Sequence, residues 1–510
     1  MLRKIRLTIA MICFTLITLL FLDFTGTLHG WFGWLAKIQF LPAVLALNIG
    51  VVLLLVILTL VCGRIYCSVI CPLGVFQDII AWFGRRPKKR RKLPYSYSPA
   101  LSWLRYGALG IFIITLVAGV GSLAVLLAPY SSYGRIANNL FQPLWQWGNN
   151  LLAYFAERAD SYAFYSVDVW IKSMPTFIVA IVTLIILIVL AGRNGRTYCN
   201  TICPVGTVLG FLSRFSLFRI TINTEKCNNC SLCSRNCKAA CINSKEHQID
   251  YSRCVACMNC IDKCKHGAIS YQFHPINKAS KTTPSVDTIK DTASVAAPAQ
   301  ASETRRSFLS AITLVAATSV LKAQEKKVDG GLAMIEDKKI PERSTPITPP
   351  GSLSARNMAN HCTACQLCVS ACPNQVLRPS TDFKKLMQPE VSYERGYCRP
   401  ECTKCSDVCP TGAIHPITKA DKSSTQIGHA VWIKKNCIPL TDGVECGNCG
   451  RHCPVGAIQM VPSVPASKDS PKVPVVNTER CIGCGACENL CPARPFSAIY
   501  VEGHERHRIV

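Results

Sequence analysis

The sequence predicts an α-helical membrane domain followed by small α+β modules, and two observations carry this prediction. Hydrophobic runs crowd the first 192 of the 510 positions, whereas the remainder is polar and rich in Gly and Pro. Most of the 31 cysteines lie in the polar remainder, at short and regular intervals. The chain is long enough for several domains, so one structural class need not extend over all of it.

Four segments of the first half approach the length of about 20 apolar residues that a bilayer requires. They lie at about 5–22, 40–61, 104–128 and 176–192. The opening MLRKIR and the loop 84–92 are basic, whereas the loops 23–39 and 129–175 are poor in Lys and Arg. By the positive-inside rule, both ends of this four-helix domain, residues 1–215, face the cytoplasm. The aromatic spacing within 129–175 predicts a helix at the outer interface.

The formal charge of +26 raises the question of nucleic-acid binding. Seven of the cations lie together in RRPKKRRK, residues 85–92, directly after a hydrophobic segment. That is where a cytoplasmic loop carries its positive charge, and such a loop also contacts lipid headgroups. We therefore expect membrane lipid, and no nucleic acid, as the partner of this charge.

An internal repeat follows the second and the fourth predicted span. GRIYCSVICPLG occupies residues 63–74 and GRTYCNTICPVG occupies residues 195–206. Two copies on one membrane face would bring four thiols together, namely Cys67, Cys71, Cys199 and Cys203. They could hold a metal or a cluster, or form a redox-active disulfide pair. The alternative is a tight Pro-Gly turn with incidental thiols.

Twenty-four of the cysteines form six groups of four, which is typical of metal thiolates and not of a disulfide framework. The first two groups contain C-x2-C-x2-C-x3-C, the spacing of 4Fe–4S ligands, in which the fourth cysteine reaches the neighbouring cluster. We assign one cluster to Cys227, Cys230, Cys233 and Cys264, and its neighbour to Cys254, Cys257, Cys260 and Cys237. A zinc knuckle is the alternative, but zinc seldom uses two interleaved runs of four. Cys241 is left over.

Four more groups follow, and each ends in Cys-Pro. They are Cys362, Cys365, Cys368 and Cys372; Cys398, Cys402, Cys405 and Cys409; Cys437, Cys446, Cys449 and Cys453; and Cys481, Cys484, Cys487 and Cys491. We expect four further 4Fe–4S clusters, with short strands and turns between the groups, such as GAIHPIT and GAIQMVPS.

The two cysteine-rich regions are expected on opposite sides of the membrane. Residues 216–275, a ferredoxin-like module, follow the fourth span and therefore lie in the cytoplasm. A Ser/Thr/Ala/Pro-rich linker follows at 276–303. Residues 304–323, within ETRRSFLSAITLVAATSVLKAQ, have the paired arginines and short apolar run of a twin-arginine export signal. The alternative is a fifth span, although the apolar stretch is short for one. Residues 324–510 are then an exported, periplasmic module.

These motifs resemble two known families. The first 275 residues, with four spans, twin YC-x3-CP repeats and a double-cluster tail, resemble the NapH-type membrane polyferredoxins. Residues 303–510 resemble the NapG and MauM type of exported four-cluster ferredoxin protein. The resemblance implies a fusion that takes electrons from quinol, as a quinol dehydrogenase component of anaerobic respiration, and passes them to a periplasmic reductase or cytochrome. It also implies that the first group of the exported module pairs with the last and the second with the third, which assigns Cys491 to the first cluster and Cys372 to the last.

Two other functions stay open: a redox factor for the maturation of another metalloenzyme, and a carrier between cytosolic ferredoxin and quinone. Neither C-x-x-C-H nor a strand-linked G-x-G-x-x-G occurs, so no c-type haem and no flavin site is expected. The expected cofactors are six 4Fe–4S clusters, with quinone or quinol as the mobile substrate. His29, with Asp23 and Trp31, is a candidate quinol site. Three histidines beside cluster cysteines are expected to tune or cap: His266, His361 and His452.

Overall fold

The computed structural model describes residues 1–84, 95–119, 121–161, 163–273, 336–464 and 470–510. The basic run at 85–92, the linker 276–303 and the twin-arginine segment 304–323 lie outside the described residues. The expectations for these three segments stay predictions.

The first 215 residues form a helical bundle. Its helices are α1 (Leu2–Leu22), α2 (Thr27–Phe32), α3 (Trp34–Lys37), α4 (Phe40–Leu45), α5 (Ile49–Cys62), α6 (Ile65–Val69), α7 (Pro72–Gly84), α8 (Ser102–Val117), α9 (Gly121–Leu127), α10 (Pro129–Ile136), α11 (Gln142–Arg158), α12 (Met174–Asn194), α13 (Thr197–Thr201) and α14 (Pro204–Leu212). A π-helical turn, Ala137–Phe141, joins α10 to α11. Helices therefore fill much of the loop for which an interfacial helix is predicted.

Two of the four predicted spans form single helices of sufficient length. By length and composition, α1 and α12 could cross a membrane, whereas α5 and α8 are shorter apolar helices. The second predicted span is broken because Leu47 has a φ of 51° and the Asn48 side chain caps α5, accepting a hydrogen bond from the Val51 amide at 3.3 Å. The third is broken at Gly119, whose φ is 70°. Hydropathy does not detect these interruptions, since the residues around them are apolar.

Short helices and two-stranded sheets build the cysteine-rich modules. The helices are α15 (Leu232–Arg235), α16 (Asn259–Lys263), α17 (Ala355–His361), α18 (Leu367–Ala371), α19 (Lys404–Val408), α20 (Lys419–Ser424), α21 (Ile438–Thr441), α22 (Asn448–Arg451) and α23 (Ala486–Asn489). The strands are β1 (Phe218–Ile222), β2 (Ile242–Asn243), β3 (Gln248–Ile249), β4 (Ile269–Phe273), β5 (Leu377–Pro379), β6 (Pro389–Val391), β7 (Thr425–Trp432), β8 (Ile458–Pro462), β9 (Lys472–Val476) and β10 (Ile499–Ile509).

In the part of the chain that the structure describes, the five sheets are antiparallel pairs: β1 with β4, β2 with β3, β5 with β6, β7 with β10 and β8 with β9. The predicted strand in GAIQMVPS is confirmed as β8. GAIHPIT, residues 412–418, forms no strand. Its His415 amide instead donates to the Gly351 carbonyl at 2.9 Å, and Pro416 has no N–H for a ladder.

The two modules pack at opposite ends of the bundle. The first module, residues 216–275, meets the start of α1 through an Arg3–Asp262 ion pair and the end of α12 through the Lys238 carbonyl. The second module, described from residue 336, meets the end of α1, where Lys404 Nζ donates to the Thr25 carbonyl at 2.5 Å. At 1.5 Å per residue, the 21 residues of α1 separate these ends by about 30 Å. That separation is close to the thickness of a bilayer's apolar layer.

Candidate functional site

The cysteines of the first module gather into two pockets. Cys227, Cys230, Cys233 and Cys264 line one, and Cys237, Cys254, Cys257 and Cys260 line the other. Each C-x2-C-x2-C loop turns through two residues of positive φ, Asn229 and Ser231 in one and Ala256 and Met258 in the other. The short helices α15 and α16 then carry the fourth cysteine of each run to the opposite pocket. The grouping matches the ligand sets expected from the spacing.

The second of these pockets contains a fifth thiol. Cys241 lines it, is 1% exposed, and has its Sγ 3.5 Å from the Sγ of Cys237. A cubane cluster takes four thiolates, so this pocket has one more sulfur than such a cluster needs.

The second module pairs its cysteine groups in an order different from the expected one. Cys491 lines a pocket with Cys437, Cys446 and Cys449 of the third group. Cys453 of the third group, in turn, lies beside Cys481 and Cys484 of the last. Burial raises the pKa of both thiols, and the charge of Cys453 adds to this effect, in Cys484 after the charge of Cys481. The third and last groups are therefore partners, and assigning Cys491 to the first cluster is wrong.

The first and second groups are likewise partners. Burial, followed by the charges of neighbouring thiols including Cys409, raises the pKa of Cys362 and Cys368. Cys372 lies with the second group, where its charge adds to the effect of burial in raising the pKa of Cys398 and Cys405. Cys372 therefore does not reach the last group. The physical reason is chain proximity: α18 and α19 pack directly on each other, and each ends at a cysteine facing the other's loop.

The two pairs of groups are themselves in contact. The Cys398 amide donates to the Cys484 carbonyl at 2.9 Å, and the buried Tyr393 lies close to both cysteines. Near the bundle, Gly134 of α10 packs against the Cys365 carbonyl so closely that a Cβ atom would overlap it. The four cysteine sets thus form a series that starts at the bundle and ends at the pocket of Cys437 and Cys491.

The four thiols of the YC-x3-CP repeats meet inside the bundle. All four side chains are buried, at 4–5% exposure: Cys67, Cys71, Cys199 and Cys203. Burial, and then the charges of the other thiols, raises the pKa of Cys71 and Cys203. Among the residues that the structure describes, no three His, Cys, Asp or Glu side chains converge closely enough to hold one metal ion. The ferredoxin-type groups do not form such a single-ion site either, because each of their cysteines would bind a different iron of a cluster.

An exchange of arginines locks the two repeats together. Arg64 of the first repeat donates to the Cys199 carbonyl at 3.3 Å and to Asn200 Oδ1 at 3.0 Å. Arg196, at the equivalent position of the second repeat, donates to the Cys67 carbonyl at 2.5 Å. Glycine is needed opposite each guanidinium, because a Cβ at Gly74 or Gly206 would lie 3.1 or 2.9 Å from it and overlap the same carbonyl.

Of the two crossing arginines, Arg196 also pairs with a buried carboxylate. Asp78 of α7 accepts from Arg196 Nε at 2.9 Å and pairs with Lys238 at 3.4 Å and with Arg6 at 3.5 Å. Burial opposes ionisation, but the surrounding cations outweigh it and lower the pKa of Asp78. Sequence reasoning missed Asp78, Arg64 and Arg196. The Gly-Arg pair that begins both repeats, with its arginine three residues before the first cysteine, was the available signal.

Comparison with known proteins divides the chain in the same way. A 4Fe-4S binding domain family matches residues 44–91 and 176–223, which contain the two repeats. A 4Fe-4S dicluster domain family matches residues 361–413 and 444–494, which contain the first pair of groups that the structure brings together and, apart from Cys437, the second pair. Another 4Fe-4S binding domain family matches residues 247–270.

The methylamine utilization ferredoxin-type protein MauM of Methylobacillus flagellatus is 30% identical over 166 residues, which cover 32% of this chain and 70% of MauM. The chain belongs to the MauM family of ferredoxin-type proteins. The ferredoxin-type protein NapF of Escherichia coli K12 is 29% identical over 162 residues, 32% of this chain and 89% of NapF. The putative electron transport protein YccM of the same organism is 25% identical over 200 residues, 39% of this chain and 47% of YccM. No solved structure matches the chain. The chain is accordingly an iron–sulfur electron-transfer protein of the ferredoxin type, with 4Fe–4S clusters.

The candidate quinol residues are brought together only in part. His29 Nδ1 lies 3.2 Å from Asp23 Oδ2, and both side chains are buried. Burial opposes ionisation of Asp23, but hydrogen bonds from His29, Thr25 and two backbone amides lower its pKa. His29 Nε2 is buried and has no hydrogen-bond partner among the described residues. Trp31 is 80% exposed and takes no part in the pair.

Three histidines were expected to tune or cap clusters, and His452, in the turn after α22, has its amide 3.1 Å from the Asn448 carbonyl. His266 lines the pocket of Cys227 and its Nε2 lies 2.8 Å from Asn228 Nδ2. His361 Nδ1 lies 3.0 Å from the Asn357 carbonyl. Both are held by polar neighbours, and their tuning or capping role stays a prediction.

An apolar pocket lies where the bundle meets the second module, and a cluster cysteine lines it. Leu41 and Leu45 of α4 and Phe112 and Leu116 of α8 form much of its wall, and Cys362 of the second module lies on the opposite side. Its position between the bundle and the second module combines an apolar lining with a redox ligand. Sequence reasoning did not detect this pocket, because its residues come from segments separated by hundreds of positions.

Proposed function

We propose that this chain is a membrane-bound polyferredoxin of the NapH–NapG fusion type, which oxidises quinol and passes electrons through 4Fe–4S clusters to a periplasmic reductase or cytochrome. The observation that carries the proposal is the pocket beside Cys362. Its wall is mainly apolar and includes Cys362, so a quinol ring that enters by displacing the apolar side chains would lie beside an iron–sulfur ligand. Quinol oxidation releases two electrons and two protons, and each 4Fe–4S cluster takes one electron, so a series of clusters divides the pair.

The outer surface of the bundle supports a membrane location. Helices α1, α5, α8 and α12 each turn large apolar side chains outward, including Ile12, Leu54, Ile114 and Ile178 at 54%, 62%, 67% and 54% exposure. Soluble monomers rarely expose contiguous apolar surface of this kind, whereas a bilayer would cover it. In this arrangement the first module faces the cytoplasm, the second faces the periplasm, and the twin-arginine segment is the export address of the second.

The pocket is tested by filling it. Leu116 is 37% exposed, so Leu116→Trp adds volume to the pocket wall without overpacking a closed core. We expect the rate at which menaquinol reduces the oxidised clusters, followed by their visible absorbance in anaerobic stopped flow, to fall at least tenfold. Val117→Trp is the matched control, since Val117 is 82% exposed and lies outside the pocket. Equal rates for the two variants would exclude this pocket as the quinol site.

His29 is the proposed proton acceptor for quinol. Asp23 holds Nδ1, and the buried Nε2 has no hydrogen-bond partner among the described residues. His29 does not line the pocket of Cys362, so as a base it would act on a quinol hydroxyl that approaches the outer end of α1. Removing such a base typically costs 10²–10⁴-fold in rate, so His29→Ala should slow quinol-dependent cluster reduction by about that factor. The exposed His415 supplies the control His415→Ala, which should leave the rate unchanged. Reduction by dithionite should be the same in all three proteins, and a normal quinol rate in His29→Ala would remove the residue from the mechanism.

A redox factor for metalloenzyme maturation and a carrier between cytosolic ferredoxin and quinone are the two alternative functions. Both alternatives require the same cysteine sets as the respiratory function, so the cluster content does not distinguish them. The measurement must be the sustained turnover of quinol. Sustained quinol oxidation coupled to a periplasmic acceptor supports the respiratory function. Cluster reduction by ferredoxin, with none by quinol, would support the carrier.

A further inference from the structure

The four thiols of the repeats are surrounded by hydrogen-bond donors aimed at sulfur. Gln77 Nε2 lies 3.3 Å from Cys199 Sγ, the Gly206 amide lies 3.3 Å from Cys203 Sγ, and Arg64 Nη2 lies 3.9 Å from Cys67 Sγ. The Gly74 amide donates to Cys71 in the same way as Gly206 does to Cys203. Four donors on four sulfurs stabilise thiolates, and such hydrogen bonds surround the ligands of iron–sulfur clusters. Thiols that merely fill space need none of them.

Each repeat supplies only half of this set. The 4Fe-4S binding domain family matches the chain twice, and each match contains two of the four cysteines. Because Arg64 and Arg196 each cross to the other repeat, the two halves are held as one unit with four sulfurs. The two guanidinium groups also offset the negative charge that four thiolates would bring into a buried site.

The first module lies against one side of this unit. Arg64 Nη1 donates to the carbonyl of Ser252, two residues before Cys254. On the other flank Asp78 pairs with Lys238, which follows Cys237. Cys257 belongs to the same apolar core as the four thiols. The pocket of Cys237 and Cys254 is therefore the nearer of the two first-module pockets.

An aromatic series connects the other side to the second module. Phe76, in the helix that follows Cys71, has its ring 5.9 Å from that of Tyr133. Tyr133 lies 6.2 Å from Phe21, and Phe21 lies 5.7 Å from Tyr130. Tyr130 is buried close to Cys365 and Cys409. The apolar core that contains the four thiols continues without interruption to Cys365 and Cys368.

We infer that Cys67, Cys71, Cys199 and Cys203 together hold an additional iron–sulfur cluster, which carries single electrons through the bundle between the first and the second module. The inference rests on the proposed function for the membrane setting and for the clusters at either end. In each step one electron leaves a reduced 4Fe–4S cluster of one module and reduces the four-thiol centre. The centre is then reoxidised by the nearest cluster of the other module, and no proton or bond is exchanged.

Cluster content is the first test. We expect the wild-type chain to contain about two to four more iron atoms, with matching acid-labile sulfide, than a Cys67→Ser Cys199→Ser variant. Cys13→Ser is the control, because Cys13 is an isolated thiol of α1. Equal iron content in wild type and double variant would overturn the inference.

Gln77→Leu keeps all four cysteines and removes one donor to sulfur. We expect it to retain the iron of the wild type and to lower the reduction potential of one centre in an EPR-monitored titration, since hydrogen bonds to sulfur raise cluster potentials. If the titration of Gln77→Leu showed only the six ferredoxin-type clusters, all at their wild-type potentials, the assignment would be contradicted.

Electron transfer is tested in quinone-free proteoliposomes, with dithionite outside and ferricyanide trapped inside. Wild type and Cys13→Ser should reduce the trapped ferricyanide, and the Cys67→Ser Cys199→Ser variant should do so at least tenfold more slowly. Equal rates of ferricyanide reduction in wild type and the Cys67→Ser Cys199→Ser variant would overturn the relay. A wild-type rate no higher than that of empty liposomes would do the same. Quinol reduction of the second module should persist in the double variant, so failure of the relay and failure of the proposed function are distinguishable.

Discussion

Replacing Asp78 by asparagine is expected to destabilise the helical bundle by about 3–5 kcal/mol, the cost of breaking a buried ion pair from one side. Asp78 is 8% exposed, and the guanidinium groups of Arg196 and Arg6 that it neutralises are also buried. Asparagine would leave both cations without a counter-charge in a site from which water is largely absent. The measurement is the free energy of unfolding of the detergent-solubilised protein, followed by far-ultraviolet circular dichroism.

Asp262→Asn is the matched control for this prediction. Asp262 also pairs with an arginine, Arg3, but the two side chains are 43% and 40% exposed, so the pair should contribute only about 0–1 kcal/mol. Similar losses for Asp78→Asn and Asp262→Asn would show that the Asp78 network is not a buried ion-pair centre. Because the pKa of Asp78 is lowered, its contribution is present above the ordinary carboxyl pKa of about 4 and is lost only in stronger acid.

Replacing Cys409 by serine is expected to remove the cluster of the first group, not the cluster of its own group. Cys409 lies with Cys362, Cys365 and Cys368, whereas Cys372 completes the set of Cys398, Cys402 and Cys405. A cubane cluster that loses one of four thiolates becomes labile, so the loss should be close to complete. We expect Cys409→Ser to eliminate the EPR signal that Cys365→Ser also eliminates.

Cys491→Ser provides the comparison within the same module. It should remove the cluster of Cys437, Cys446 and Cys449 and leave the signal of the first group intact. The pairing implied by resemblance to four-cluster subunits makes the opposite prediction, namely that Cys491→Ser eliminates the first cluster. The two EPR spectra therefore decide between the two arrangements.

Regular spacing explains why much of this protein can be predicted. In C-x2-C-x2-C-x3-C the three thiols of the loop and the crossing fourth thiol are set by a few consecutive backbone conformations. The pockets of Cys227 with Cys264 and of Cys254 with Cys237 accordingly follow from sequence alone. Local composition and period also explain three other successful predictions: the division of the chain into two halves, the internal repeat, and the long helices α1 and α12.

The breaks in α4–α5 and α8–α9 could not be found by hydropathy. Asn48 caps a helix start through one hydrogen bond, and Gly119 adopts a left-handed conformation, while the neighbouring residues stay apolar. A hydropathy average detects residue type over about 20 positions and is insensitive to the conformation of one residue.

The sequence by itself determined the chemistry of this protein: the cysteine groups, their local ligand loops and the division between apolar bundle and polar modules. Only the tertiary structure decided which fourth cysteine joins which group in the second module, how Arg64 and Arg196 cross between repeats, and that Cys362 faces an apolar pocket of the bundle. The physical reason is range. Ligand loops and helices arise from interactions between neighbours in the chain, whereas these contacts join residues separated by tens to hundreds of positions, and their geometry depends on how whole elements pack.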